Sequence, residues 1–238
     1  MTFPQKIGVF SILSFLFAQP VLASISVGSS RIIFHEENSS QSVDINNSSK
    51  FQTYLINVGI SDTVKSKSAS NAFIPTPVLF RIEPDSVNTV RIMKKSQMLP
   101  RDRESIFYFN VMAIPTGKTG DSPSANNLDG TLQVATGNTV KLFYRPNNLP
   151  MTQKEAMGKL QFSRTGNSVK VSNPTPYFIS LKNLVINGKK IKLDVISGSS
   201  MISPFATNTY PVTVGQGTTK WTAINDFGAG ETFNGIIK

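Results

Sequence analysis

The sequence predicts an all-β protein of the β-sandwich type. Charged residues make up only 16% of the 238 residues, and hydrophobic residues make up 39%, which is enough for a core. Short alternating or apolar stretches recur along the chain, separated by turn-forming segments such as NSSQ, EPDS, TGN and NGKK. Short strands at regular spacing with such turns are typical of β-sandwiches.

The N-terminal 23 residues have the pattern of a secretory signal peptide. Lys6 precedes the apolar run IGVFSILSFLFA, and Val21 and Ala23 occupy the third and first positions before a candidate cleavage site. The run is shorter than the ~20 apolar residues that a membrane-spanning helix needs. We therefore expect cleavage after Ala23 and an exported chain that begins at Ser24.

Two domains are expected after the signal peptide. The segment RPNNLPMTQ, residues 145–153, is rich in proline and asparagine and indicates a linker. It divides the chain into a first domain at 24–146 and a second at 150–238. The stretch TQKEAMGKL predicts a single helical turn after the linker, and Asn187-Gly188 predicts a two-residue hairpin.

Composition excludes several classes of function. The chain contains no cysteine, so disulfides, thiol catalysis and cysteine-bound zinc are excluded. The formal net charge is +10, but the basic residues form no run with interleaved aromatic residues, so nucleic-acid binding is not indicated. Two interpretations of the charge stay open. Either the basic residues are spread over a solvated surface, or selected cations meet an anionic peptide group.

No catalytic or metal-binding pattern is complete. The GKT sequence at 117–119 resembles the end of a phosphate-binding loop, but Met112 replaces the required upstream glycine. His35 is the only histidine, and no G-x-S-x-G elbow supplies a nucleophilic serine. Glu36 and Glu37 are adjacent and would point to opposite faces of a strand. The sequence therefore favours a binding protein over an enzyme and indicates no cofactor or metal.

Six sequence blocks occur in a fixed order along the mature chain. They are RIIF (31–34), TPVLFRIEP (76–84), LPRDRESIFYFNVMAIP (99–115), VKLFYRP (140–146), NPTPYF (173–178) and INDFGAGE (224–231). In this order, behind a signal peptide, they resemble the periplasmic pilus chaperones of the chaperone–usher family. The resemblance implies two immunoglobulin-like β-sandwich domains, set at an angle with a cleft between them. It also implies a protein that captures pilus subunits and delivers them to an outer-membrane usher.

The resemblance assigns a carboxylate-binding role to Arg31 and Lys141. In the family the matching residues lie in the cleft and hold the C-terminal carboxylate of the subunit. A carboxylate that leaves bulk water needs cations and fork-like donors, which both residues supply. The alternative is that each is an ordinary strand residue whose charged end reaches solvent.

The resemblance also implies a strand that the chaperone lends to its subunit, at LQVATGNTV (132–140). Leu132, Val134 and Thr136 would enter the hydrophobic groove of the subunit in the manner of β-strand addition. Thr136 is small and polar and Gly137 loosens a strand, so use of a third pocket stays open. If this were an ordinary edge strand buried on its own core, no exposed apolar row would be present.

A second set of residues is implied to connect the domains. Glu104, Arg145 and Asp226 match the family positions of an interdomain salt bridge, with the arginine between two carboxylates. Such a partly exposed network stabilises by only ~1 kcal/mol or less, so we expect its main role to be geometric.

An exported structural or adhesive protein, such as a pilin or a sugar-binding sandwich, is the competing hypothesis. A pilin carries an N-terminal donor extension, whereas ISVGSSRIIF at the expected mature start fits a first strand. The expected partners are pilus subunits and the usher, with no nucleic acid and no membrane-embedded segment. A self-capping dimer of the free protein stays open.

Overall fold

The computed structural model describes residues 24–66, 68–116, 134–212 and 215–238. The expected signal peptide and Leu132 therefore lie outside the described residues. The described residues are 54% strand and 3% helix, which confirms the all-β prediction. In the described ranges, no helix has the length and apolar character needed to cross a membrane.

The N-terminal domain is a sandwich of two sheets. Its strands are β1 (Ile25–Val27), β2 (Arg31–His35), β3 (Ser40–Asn47), β4 (Tyr54–Ser61), β5 (Phe73–Thr76), β6 (Leu79–Ile82), β7 (Ser86–Lys94), β8 (Ser105–Pro115) and β9 (Thr136–Arg145). One sheet has the order β1-β3-β7-β5 and the other β2-β9-β8-β4-β6. The first stretch of chain thus contributes β1 to one sheet and β2 to the other.

The core of this domain comes from the alternation of side chains along the strands. On β8, Phe107, Phe109 and Val111 face the core and are buried. Phe73 packs edge-to-face between the rings of Phe34 and Phe107, at centroid distances of 5.1 and 4.9 Å. Such aromatic pairs add to the stabilisation that comes from buried area alone.

The C-terminal domain begins with a short helix, α1 (Gln153–Met157), as the sequence predicts. Thr152 and Glu155 form a capping box that satisfies free backbone N–H groups of the helix. The strands are β10 (Gln161–Thr165), β11 (Ser168–Ser172), β12 (Ile179–Ile186), β13 (Lys189–Lys190), β14 (Met201–Ile202), β15 (Thr207–Pro211), β16 (Gly217–Ile224) and β17 (Gly230–Ile237). Their main sheet has the order β13-β12-β16-β17-β10-β11-β15.

The single tryptophan organises the second core. Trp221 is 1% exposed, and its ring lies 5.1 Å from that of Phe162 and 5.7 Å from that of Phe233. Its indole N–H donates to the carbonyl oxygen of Met157 at 2.9 Å, which ties α1 to the sheet. Each domain therefore has its own core.

The predicted hairpin at Asn187-Gly188 is confirmed. Ile186 pairs with Lys189, so Asn187 and Gly188 alone form the turn between β12 and β13. Their φ angles are 47° and 76°, in the left-handed region that a two-residue turn of this kind requires.

Candidate functional site: a half-open strand beside two cations

β9 has two halves with different surroundings. Its second half lies between β8 and β2, and the parallel pairing with β2 runs from Arg31 beside Lys141 to His35 beside Arg145. Its first half, residues 136–140, pairs with β8 on one side, and no described strand pairs with its other edge. The backbone N–H and C=O groups on that edge are therefore available to an added strand.

The side chains of β9 follow the same division. Val140 and Leu142 face the core and are buried. Thr136 and Asn138 lie on the same face but are exposed, and Val134, just before the strand, is 61% exposed. On this face of β9, the side chains are therefore buried in the core at Val140 and Leu142 but exposed at Thr136 and Asn138.

Two cations lie at the point where the free edge ends. Arg31 and Lys141 are register neighbours on β2 and β9. Lys141 Nζ donates to Ser180 Oγ at 3.4 Å, and Arg31 Nη1 donates to the carbonyl oxygen of Ile224 at 2.9 Å. Both acceptors belong to the C-terminal domain, so the two domains jointly hold the cations.

The electrostatics of this pair favour an anion. Within the described ranges neither Arg31 nor Lys141 forms an ion pair. Burial, together with the charge of Arg31, lowers the pKa of Lys141 to about 8, and burial lowers the pKa of Arg31. Arg31 Nε is buried without a hydrogen-bond partner among the described residues. A carboxylate would relieve the repulsion and supply acceptors to both side chains.

Aromatic rings form an apolar wall behind the cations. The Arg31 guanidinium lies over Phe143, with 5.8 Å from Cζ to the ring centroid. Phe143 is buried, and its ring lies 5.9 Å from that of Phe178 in the C-terminal domain. These rings restrict the approach of water, which strengthens charge interactions at the site.

The structure brings Glu104, Arg145 and Asp226 into one network. Arg145 donates from Nη1 and Nη2 to the two Asp226 oxygens at 2.7 and 2.8 Å, and from Nε to Glu104 Oε1 at 2.8 Å. Glu104 Oε2 accepts from the backbone N–H of Phe178 at 2.9 Å. The side chain of Glu104 is 2% exposed, and that of Arg145 is 11% exposed. The network is therefore more buried than the partly exposed one that we expected, and it connects the two domains through a buried carboxylate.

Burial has opposite effects on the two buried partners. It raises the pKa of Glu104 to about 6, although Arg145 and the Phe178 N–H oppose this change. Burial alone would lower the pKa of Arg145. The hydrogen bonds of Arg145 to Asp226 and the charge of Glu104 outweigh burial, so the pKa of Arg145 is raised. The Arg145 guanidinium further lies 5.1 Å from the ring centroid of Tyr177.

Sequence reasoning did not identify Ser180 or the carbonyl group of Ile224 as part of the site. A backbone carbonyl carries no sequence signal. Ser180 follows the NPTPYF block by two residues, and this block is held by Asn173, whose Nδ2 donates to the carbonyl oxygens of Tyr177 and Ser203. The short distance in sequence between Ser180 and this block could have indicated that Ser180 lies near the site.

Comparison with known proteins identifies the class. Residues 24–150 match the family described as pili and flagellar-assembly chaperone, PapD N-terminal domain, and residues 155–234 match the pili assembly chaperone PapD, C-terminal domain. The chain is 36% identical over 220 residues to the probable fimbrial chaperone LpfB of Escherichia coli O157:H7, covering 91% of this chain and 90% of the relative.

Solved structures agree with these matches. The crystal structure of the E. coli chaperone DraB has a TM-score of 0.77 and 27% identity, covering 90% of this chain and 97% of its own. A chain of the Salmonella enterica SafA pilin–SafB chaperone complex has a TM-score of 0.75 and 28% identity, with the same coverage.

The fold and these relatives define a two-domain, immunoglobulin-like chaperone of pilus assembly, as the resemblance implied. The chain belongs to the PapD family of pili assembly chaperones. Its function is that of a fimbrial chaperone, and the competing hypothesis of a pilin or adhesive surface protein is not favoured.

Proposed function

We propose that this chaperone binds pilus subunits by lending them the free edge of β9 and by holding their C-terminal carboxylate between Arg31 and Lys141. It works in the periplasm and then delivers the subunits to an outer-membrane usher. One observation carries the proposal, namely that the free edge ends at two half-buried cations that form no ion pair within the described ranges.

The geometry supports a direction for the captured strand. β2 runs parallel to β9 and occupies its edge from Lys141 onward. A strand added along residues 136–140 must therefore stop before Arg31. If its C-terminal carboxylate meets Arg31 and Lys141, the captured strand runs in the same direction as β9 and is collinear with β2.

The exposed side chains of the lent strand give the contact its selectivity. Main-chain hydrogen bonds supply affinity in strand addition, and alternate side chains enter pockets of the partner. Thr136 lies on the face that continues the core row of β9, and the alternation of the sequence predicts the same face for Val134 and Leu132. We propose that these three residues contact the hydrophobic groove of the subunit.

The remaining features fit this role. We propose that the mature chain begins at Ser24 and that its domains span 24–146 and 150–238. The network of Glu104, Arg145 and Asp226 fixes the orientation of the domains, so that both contribute to the carboxylate site. The protein has no enzymatic turnover and needs no cofactor, and its partners are proteins rather than nucleic acids. The SafB chaperone, a protein of similar fold, was solved with the SafA pilin.

The test is binding of a labelled peptide from the C-terminus of a pilus subunit, measured by fluorescence anisotropy. Lys141→Ala and Arg31→Ala should each weaken binding by about 30-fold or more, because loss of one cation leaves the carboxylate partly unpaired, at a cost of roughly 2–5 kcal/mol. The double variant should lose little more than either single one. Lys170→Ala, an exposed cation on β11, is the matched control.

Amidation of the peptide should reproduce the effect of either substitution. Equal binding of the amide and the free acid would exclude the carboxylate site. In that case Lys141 and Arg31 would be ordinary strand residues whose charges reach solvent.

A further inference from the structure

A groove of about 550 Å³ lies on the outward face of the five-stranded sheet, next to the free edge of β9. Its floor consists of two rows across three strands. Asn57, Met112 and Gly137 form one row, and Gly59, Asn110 and Thr139 form the next. Its wall comes from the loop after β4, through Ser66, Ser68 and Ala69. None of these residues belongs to the carboxylate site or to the interdomain network.

Two glycines keep the groove open. A Cβ atom built on Gly59 would meet no atom within 4 Å, and one built on Gly137 would meet only the Val111 carbonyl oxygen, at 4.0 Å. Neither glycine has a positive φ, so the backbone conformation does not require glycine at either position. The consequence of both glycines is open space above the sheet.

The floor of this space is suited to an aromatic ring. Met112 pairs directly with Gly137 and is 53% exposed, so its thioether is available for a contact with a ring. A glycine on a strand edge leaves its neighbours unpacked, and an aromatic side chain on the adjacent strand can cover that gap. The groove adjoins the edge at Gly137, so such a ring would come from whatever strand pairs there.

We propose that this groove is a subsite for an aromatic side chain of the captured strand, and that the row of Gly137 and Met112 next to the free edge makes the chaperone selective for subunits that carry one. The inference rests on the proposed function, which positions the captured strand along residues 136–140. A residue beside Gly137 in that strand points to the same outward face, because neighbours in a sheet share a face. With its carboxylate at Lys141, the captured strand brings a residue about three or four positions before its terminus to this point.

The test is a phenylalanine scan. Free-acid peptides of alternating valine and threonine carry one phenylalanine, moved by one position at a time towards the C-terminus. A matched set of peptides carries alanine at the same positions, and the Kd values of both sets are measured by fluorescence anisotropy. We expect one position at which phenylalanine binds about tenfold more tightly than alanine. This corresponds to about 1.4 kcal/mol, or part of the stabilisation from burying a full aromatic side chain.

Substitutions in the groove then identify the subsite. Met112→Ala removes the exposed thioether beside Gly137 without changing the free edge of β9, so it should remove most of the preference for phenylalanine and leave the Kd of the alanine peptide unchanged. Met112→Leu keeps an apolar side chain of similar size and should keep much of the preference. Met98→Ala, at a methionine that is 92% exposed and outside the groove, is the matched control.

The outcomes separate this inference from the proposed function. A flat scan, or a preference that survives Met112→Ala unchanged, would overturn the subsite. If free-acid peptides still bind more tightly than their amides in that case, the carboxylate site stands and only the aromatic subsite fails.

Discussion

Removal of Arg145 should destabilise the protein far more than removal of an exposed arginine. The Arg145→Ala substitution leaves Glu104, whose side chain is 2% exposed, without its cation. Breaking a buried ion pair from one side costs about 3–5 kcal/mol, because the other charge stays buried and uncompensated. The control is Arg81→Ala, since Arg81 and Glu83 form an ion pair with side chains that are 59% and 56% exposed. Such a surface pair contributes about 1 kcal/mol or less.

The assay is urea unfolding followed by tryptophan fluorescence and by circular dichroism. Trp221 is the only tryptophan and lies in the C-terminal core, so its fluorescence reports that domain, while circular dichroism reports both. With an m-value of about 2–3 kcal/mol/M, the expected loss of about 3–5 kcal/mol lowers the midpoint by roughly 1–2.5 M. The control substitution should move it by less than about 0.5 M.

The deficit of Arg145→Ala should also depend on pH. Burial raises the pKa of Glu104 to about 6 even with Arg145 present, so its carboxyl group takes up a proton readily once the arginine is gone. The folded variant then binds more protons than the unfolded chain as the pH falls, and acid stabilises it relative to neutral pH. The deficit should therefore shrink as the pH falls from about 7 to about 5. A deficit equal to that of Arg81→Ala, or one that does not change with pH, would refute this reasoning.

Three further predictions concern capture and export. The pKa of Lys141 is about 8, so the affinity for a free-acid peptide should fall above that pH, by up to about tenfold per pH unit, as the lysine loses its charge. Lys141→Arg should remove this pH dependence. A Kd that stays constant for the wild-type protein would contradict the role of the ammonium group. Val134→Asp should keep the wild-type melting temperature but reduce the amount of subunit that copurifies. Val140→Asp, at a position that is 6% exposed, should instead unfold the domain. If Val134→Asp also unfolds the protein, Val134 belongs to the chaperone's own core. Mass spectrometry of the exported protein should find Ser24 at the N-terminus, and retention of Met1 would exclude the signal peptide.

Local chemistry made several elements predictable from the sequence. The Asn187-Gly188 turn follows from the need for two consecutive residues with positive φ, which few other pairs tolerate. The helical turn after the linker follows from the capping residues Thr152 and Glu155. Both signals lie within a few residues of the element they specify, so no knowledge of tertiary structure was needed.

The pairing of Arg31 with Lys141 was predictable only through the resemblance. Arg31 and Lys141 are neighbours because two distant segments adopt one parallel register, and no local pattern encodes that register. Alternation along β9 correctly predicted that Thr136 and Asn138 lie on one face of the strand. It could not show that the row is covered at Val140 and uncovered at Thr136, because this depends on where the opposing sheet ends. The groove at Gly59 was missed for a related reason, since a glycine within a strand does not reveal which side of the sheet it leaves open.

The contact between Arg31 and the carbonyl group of Ile224 also constrains when the chaperone can act. It joins residues 193 positions apart, from the first strands of the N-terminal domain to the second-to-last strand of the chain. Contacts between such distant segments form late and slowly, because the intervening chain must first be ordered. A chain still emerging from export lacks the segment that completes the site. If Arg31 holds the subunit carboxylate as we propose, competence to capture a subunit arises only after the C-terminal domain of the chaperone has folded.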